Sequence, residues 1–327
     1  MSDLPGRAGG AARGTSAAAI SFPEKLRELY SIFRIRLSDL SRPASVECIL
    51  ADVDEYESAL RKYAGRELCG ARALEIGFGA RPLRLFALLG RGADVTGSDL
   101  DVPLLRGSPQ EFAAMARRNG LERAVKSAVR FVLFDRKERR ALERLMRARG
   151  LELKIEPDRL IVADAASLPI AGQSLDFIYS EDVFEHIPIE SLRMLTAKMA
   201  RWLKPSGLAL IRPNVFTGIA GGHLAEWFPQ VVNDRSRRRR SEPWEHLRRR
   251  RFRPNTYLNE MSRAGYRELF AEEFEILEER VRDENLGRDY FTGETAAELA
   301  SWPEEELFSN QTLFILRPRR PSDAGQR

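Results

Sequence analysis

Cysteine and histidine are scarce in this chain of 327 residues: there are two cysteines, Cys48 and Cys69, and three histidines. Two thiols without a CxxC spacing argue against a disulfide scaffold and a cysteine-ligated zinc site. The histidines, His186, His223 and His246, are far apart in sequence, so no metal-ligand spacing can be read and no metal is expected. No apolar run approaches the roughly eighteen residues of a membrane helix. The Gly-, Ala-, Ser- and Arg-rich start lacks the leucine-rich centre of a secretory signal and reads as a disordered tail. These shortages fit a protein of the reducing cytoplasm.

Apolar and charged residues are present in ordinary globular proportion, and the length suits one large or two modest domains. The net charge of +5 is unevenly spread. Residues 106–149 hold thirteen Lys/Arg against five Asp/Glu, and residues 235–253 ten Arg against two Glu. The remainder is therefore net negative, which disfavours a general nucleic-acid binder.

Two helices are expected first, Pro23–Leu40 and Pro43–Tyr63; in the second, Val46, Ile49, Leu50, Val53, Tyr56, Leu60 and Tyr63 recur at helical spacing. Strand and helix signals then alternate. Strands are expected at 72–76, 93–98, 160–163, 175–180, 208–211, about 268–276 and 312–316. Helices are expected at Leu83–Leu89, at Ile189–Leu203 (stopped by Lys204-Pro205-Ser206-Gly207), and at Asn255–Ala264 (ended by Gly265). The pattern predicts an α/β fold: a mostly parallel sheet with helices on both faces and ligands at the carboxyl ends of its strands. The expected layout is a tail at 1–20, a helical cap at 21–70, a main domain at 71–318 and a tail at 319–327. Insertions interrupt the main domain at about 106–155 and 213–253.

The most telling stretch is Leu74-Glu75-Ile76-Gly77-Phe78-Gly79, an apolar strand running into a glycine turn. Without a Cβ, Gly77 and Gly79 let backbone approach a ligand closely. A dinucleotide fingerprint needs another glycine where this chain has Pro82. Asp99 closes the next strand, where a carboxylate can accept from both ribose hydroxyls of either kind of nucleotide cofactor. A plain turn and a helix-capping Asp are the duller readings of these positions.

Further along come Val162-Ala163-Asp164-Ala165, Leu175-Asp176-Phe177-Ile178-Tyr179-Ser180, Phe184-Glu185-His186-Ile187 and Leu203-Lys204-Pro205-Ser206-Gly207. With these in order over about residues 70–212, the chain resembles the class I S-adenosylmethionine-dependent methyltransferases, particularly the type 11 group. The resemblance implies a Rossmann-like, doubly wound, seven-stranded sheet with an antiparallel last strand. It implies that Glu75, Gly77, Phe78 and Gly79 cradle the methionine part of S-adenosyl-L-methionine. Asp99 then holds the ribose, Leu100 lies beside the adenine, Asp164 and Ala165 meet the adenine edge, and Ser180 lies at the amino-acid end. Arg81 departs from the pattern, standing where the family has a third glycine.

Methyl transfer to a hydroxyl benefits from a base. His186 and His223 are the catalytic candidates, with loop-shaping and packing as the plain alternatives; Glu181 and Asp182 are nearby. His246, among arginines, is expected to be exposed. The arginines of 235–253 are read as a solvated loop or as a clamp for an anionic substrate. The reading is methyl transfer to an O or N atom of a small molecule, glycan or natural product. The alternatives are a nicotinamide-dependent oxidoreductase and a non-catalytic binding protein of the same fold. The sequence is silent on oligomeric state.

Overall fold

The computed structural model describes residues 44–319 except 235–238, 253 and 255. The expected 1–20 tail, the helix Pro23–Leu40 with Tyr30, the last eight residues, and Arg235, Arg237 and Arg238 lie outside the described residues. One seven-stranded sheet organises the rest. Its strands are β1 (Arg72–Ile76), β2 (Asp94–Asp99), β3 (Leu160–Val162), β4 (Leu175–Glu181), β5 (Leu203–Arg212), β6 (Phe274–Val281) and β7 (Thr312–Pro318). The spatial order is β3-β2-β1-β4-β5-β7-β6, and β7 runs antiparallel to both neighbours. The expected doubly wound sheet with an antiparallel last strand is therefore present. The order reverses between β1 and β4, so the crevice where α/β sheets bind ligands opens beyond Ile76 and Glu181.

Helix α1 (Ala44–Ala59) continues as a π-helical turn, Leu60–Ala64, closed by Gly65 in the left-handed conformation. Its expected apolar stripe is buried: Val46, Leu50, Val53, Tyr56 and Leu60 join α2 (Leu83–Gly90) and β1 in one core. The first insertion forms α3 (Pro109–Asn119), α4 (Leu121–Arg130) and α5 (Arg136–Ala148). A capping box between Ser108 and Glu111 starts α3, and Leu142 and Met146 of α5 enter the core shared by α1 and α2. Helix α6 (Ile189–Trp202) covers the other face, and the segment expected to stop it begins β5.

Several expectations need correction. The helix placed at Asn255–Ala264 is instead α7, Arg263–Glu273, so the strand expected at about 268–276 begins only at Phe274. Gly265 does not end a helix. Its N–H donates to the Ser262 hydroxyl at 3.0 Å, which makes Ser262 an N-cap and puts the glycine in the first turn. His246 is buried, with Nε2 2.9 Å from the Phe216 carbonyl oxygen. The described arginines of the second insertion are only in part a solvated loop: Arg240, Arg250 and Arg251 are exposed, while others are engaged. Arg239 stacks 4.6 Å from the Trp227 ring, Arg248 pairs with Glu242 and Glu298, and Arg250 pairs with Glu260. This segment wraps a small core of its own around Trp227, Trp244 and Phe308. Among the described residues, no helix is long and apolar enough to cross a membrane.

Charge is buried where α1 meets the strand ends. Arg212, the last residue of β5, is 2 % exposed. Its Nη1 lies 3.0 Å from Asp52 Oδ1 and 3.0 Å from Glu181 Oε2, and its other amino nitrogen pairs with Glu55. Tyr56 donates to Glu181 at 2.6 Å, and Asp52 also takes Arg84 and Arg282. Against its burial, the guanidiniums of Arg84, Arg282 and Arg212 hold the Asp52 carboxyl below the usual range. Glu75 of β1 is different: buried beside the Tyr179 hydroxyl, it is pushed up to about 7, chiefly by loss of water.

Removing Arg212 leaves buried carboxylates uncompensated. Arg212→Ala is expected to lower stability by about 3–5 kcal/mol, read as the urea midpoint. For Glu75, the raised folded pKa means that the folded state holds a proton the unfolded chain has released. Its contribution is intact below about pH 4.5 and lost as pH rises toward about 7. Glu75→Gln is expected to abolish that decline, worth roughly 3 kcal/mol. Melting temperatures at about pH 5 and about pH 8 would read it, and parallel profiles for both proteins would refute it.

Candidate active site

The loop after β1 opens the first cavity. Gly77 has φ +82°, and a Cβ there would lie 2.2 Å from Val183 Cγ2. Its N–H bonds to the Ser98 carbonyl at 2.8 Å, tying the turn to β2. Gly79 has φ +62°, and a Cβ there would meet no atom within 4 Å. Its N–H donates to Asp99 Oδ2 at 2.7 Å, while Asp99 Oδ1 accepts the Asp101 N–H at 2.7 Å. Each Asp99 oxygen keeps a further lone pair for a ligand hydroxyl. Burial raises the Asp99 pKa, and the two N–H bonds work against that rise.

This crevice holds about 680 Å³ and is lined by Gly77, Phe78, Gly79, Asp99, Asp164 and Ala165, among others. Leu100 presents a largely exposed apolar side chain at its rim. Asp164 accepts the Ala166 N–H at 2.9 Å, so it caps a short 3₁₀ turn as well as facing the crevice. Small side chains at Ala163, Ala165 and Ala166 and the apolar Leu100 leave a flat slot on this side. An acidic ribose seat, a glycine turn open to a ligand and an apolar slot fit the three parts of S-adenosylmethionine.

Two of the expected residues stand apart. Ser180 is buried and donates its hydroxyl to the Ile76 carbonyl at 2.8 Å, pinning β4 to β1; its neighbours Glu181 and Asp182 line the crevice in its place. Glu75 lines a second cavity, not this one. Arg81 is committed as well. It pairs with Glu138 and lies 3.9 Å from Asp135, bolting the glycine loop after β1 to the first insertion. Those partners are over fifty residues away in sequence, which is why the role was not legible.

The second cavity holds about 640 Å³ and shares Arg81, Arg84, Asp182 and His186 with the first. His186 Nδ1 lies 2.9 Å from the Tyr257 carbonyl oxygen. That oxygen only accepts, so Nδ1 carries the proton and Nε2 is left bare. Burial lowers the His186 pKa, with the Tyr257 carbonyl and Asp182 opposing. His223 follows Gly221-Gly222 in a left-handed conformation, φ 52°. Burial, then His186 and His246, push it down to about 3. The two rings meet edge to face with centroids 5.0 Å apart. Between them stands Glu185, 3 % exposed and pushed up to about 8 by burial and by the like charge of Asp182. Asn214 donates to both Glu185 Oε1 (3.0 Å) and Asp182 Oδ1 (2.9 Å). The fold thus brings together histidines that sequence spacing kept apart. No local signal marks the pairing beyond a glycine-rich loop leaving β5 at the same rim.

Residues 74–211 match the type 11 methyltransferase family model, described as a methyltransferase domain. A curated relative from Mycobacterium avium, named as an uncharacterized methyltransferase, is 35% identical over 78 residues, 24% of this chain and 30% of its own length. One of the same name from Mycobacterium ulcerans is 37% identical over 67 residues, 20% of this chain and 26% of its own. The chain therefore spans less than a third of the length of these relatives. Among solved structures, a 1,6-didemethyltoxoflavin-N1-methyltransferase from Burkholderia thailandensis aligns at TM-score 0.38 and 14% identity, over 94% of this chain and 97% of the other. A protein from Pyrococcus horikoshii aligns at TM-score 0.40 and 15% identity, over 82% and 90%. Over residues 74–211, the chain is thus similar to the type 11 methyltransferases, a family whose cofactor is S-adenosylmethionine.

Proposed function

We propose that this protein transfers the methyl group of S-adenosylmethionine to an oxygen or nitrogen atom of a small molecule, glycan or natural product. The observation that carries the reading is the junction of the two cavities at Arg81, Arg84, Asp182 and His186. A ligand seated on Asp99 and the glycine loop points its far end at that junction, and a second ligand reaches the junction from the other side. Bound there, the cofactor supplies a methyl group that is already activated.

The chain's task is then alignment and exclusion of water, an orientation effect worth up to roughly 7–11 kcal/mol. Asp99 receives ribose hydroxyls, Gly79 allows close backbone approach, and Asp164 with Leu100 and Ala165 borders the adenine slot. We assign His186 and His223 to the acceptor side. The bare Nε2 of His186 can take a hydrogen bond from an acceptor O–H or N–H at the junction. The cavity volume suits an acceptor of ordinary small-molecule size. The oxidoreductase alternative fails on Pro82, which directly precedes the first residue of α2 where the fingerprint glycine would stand.

Asp99→Ala is expected to weaken S-adenosylmethionine binding at least roughly tenfold in isothermal titration, by deleting a charge-assisted contact and freeing the Gly79 N–H. Gly77→Ala is expected to weaken it as much, because its Cβ collides with Val183 and a side chain is strained at this φ. Titration of the unmodified chain with the cofactor, its demethylated product and NAD tests the reading itself. Binding of neither sulfur ligand, or preference for NAD, would overturn it.

A further inference from the structure

We propose that Glu185, His186 and His223 form a binding site for one divalent transition-metal ion on the acceptor side of the cofactor crevice. The inference rests on the methyltransferase reading only for the ion's use, not for its binding.

The ligand atoms of these three residues all lie within 4.8 Å of one another. His186 Nε2 is 3.9 Å and His223 Nε2 4.0 Å from Glu185 Oε1. Ligands held at about 2.0–2.2 Å from a common ion stand roughly 3–3.5 Å apart, so the triad must close by about 1 Å. Glu185 supplies an independent sign that something is missing. Its side chain is 4 % exposed and its Oε2 has no hydrogen-bond partner among the described residues. A buried carboxyl oxygen left without a partner is costly, and a cation that displaces the carboxyl proton would meet it.

The surroundings hold the triad as metal sites are held. The Tyr257 carbonyl accepts a hydrogen bond from the Nδ1–H of His186, which fixes the tautomer that turns the Nε2 lone pair inward. Asn214 donates to Glu185 Oε1, the oxygen nearest both histidines, and so fixes the carboxyl group's orientation while Oε2 stays without a partner. His223 sits in a left-handed backbone conformation that L residues adopt at a cost, and it is this loop that brings its ring against His186. Two imidazoles and a carboxylate favour zinc, iron(II), cobalt or nickel over magnesium or calcium.

Three protein ligands leave coordination positions open, and the cavity continues from His186 to the cofactor crevice. With the ion bound, His186 Nε2 is a ligand, so an acceptor hydroxyl meets the ion in place of the hydrogen bond to Nε2; it then ionises more readily, releasing its proton to solvent. The C–S bond of the sulfonium then breaks as the O–C bond forms, leaving an ether and a neutral thioether. The site therefore narrows the acceptor class to hydroxyl compounds.

The test uses the full chain, stripped with EDTA and titrated calorimetrically with Zn²⁺, Ni²⁺ and Mg²⁺. One equivalent of Zn²⁺ or Ni²⁺ should bind, well ahead of Mg²⁺. His223→Ala and Glu185→Gln should each weaken that binding at least roughly tenfold. The doubly substituted Cys48→Ser, Cys69→Ser chain should retain it, which rules out thiol ligation. S-adenosylmethionine affinity of His223→Ala should stay unchanged, because His223 does not line the cofactor crevice, and this confirms that the variant folds. No stoichiometric binding, or binding that survives both triad substitutions, overturns the proposal. A chain that binds S-adenosylmethionine but no metal sinks this site alone. A chain that binds metal but neither sulfur ligand sinks the methyltransferase reading and leaves the site standing.

Discussion

Arg212 ends β5 inside the protein, and Asp52, Glu55 and Glu181 meet it there. That buried cation gathers one side of the rim of the sheet. It draws the carboxylate at the end of β4 and two carboxylates of α1 to the same point, so the helix lies across the strand ends instead of standing away from them. Tyr56 completes the arrangement by donating to Glu181 from the same helix. A buried ion cluster adds little net stability over apolar packing, but its geometry is exacting, and geometry is what a rim needs.

Once α1 is fixed, the two cavities have walls. Val46 and Ile49 of that helix line the second cavity, and Arg84, held by Asp52, lines both. Arg81 performs a similar task on the other side, tying the glycine loop after β1 to α5 through Glu138. The two insertions are thus structural supports of the site rather than charged appendages. Several of their arginines, Arg123, Arg130, Arg248 and Arg250 among them, have acidic partners that lie apart in the sequence, while others such as Arg117 and Arg240 are exposed.

The division between legible and illegible features follows the range of the interactions. Local signals held: Gly77 and Gly79 after an apolar strand, Asp99 at the end of the next, and the helical stripe from Val46 to Leu60 lie as their spacing suggested. Signals that depend on one side chain's choice of partner did not. Gly265 resembled a helix stop because the Ser262 hydroxyl that captures its N–H cannot be distinguished, in sequence, from any other serine. Ser180 was assigned to the crevice by position, yet its hydroxyl belongs to the Ile76 carbonyl. His246 was read as exposed from its arginine neighbours, although burial is decided by Phe216 and Phe252, which fold over it.

The sequence by itself determined the strands, the glycine turn after β1 and the carboxylate at the end of β2, because each is set by residues within a few positions of one another. Period-two and helical patterning, glycine's freedom at φ > 0 and a carboxylate at a strand end act locally and survive in one dimension. The second cavity was decided only in three dimensions. Glu185, His186 and His223 come from loops after different strands, and what joins them is the parallel sheet, which delivers the ends of β4 and β5 to one edge.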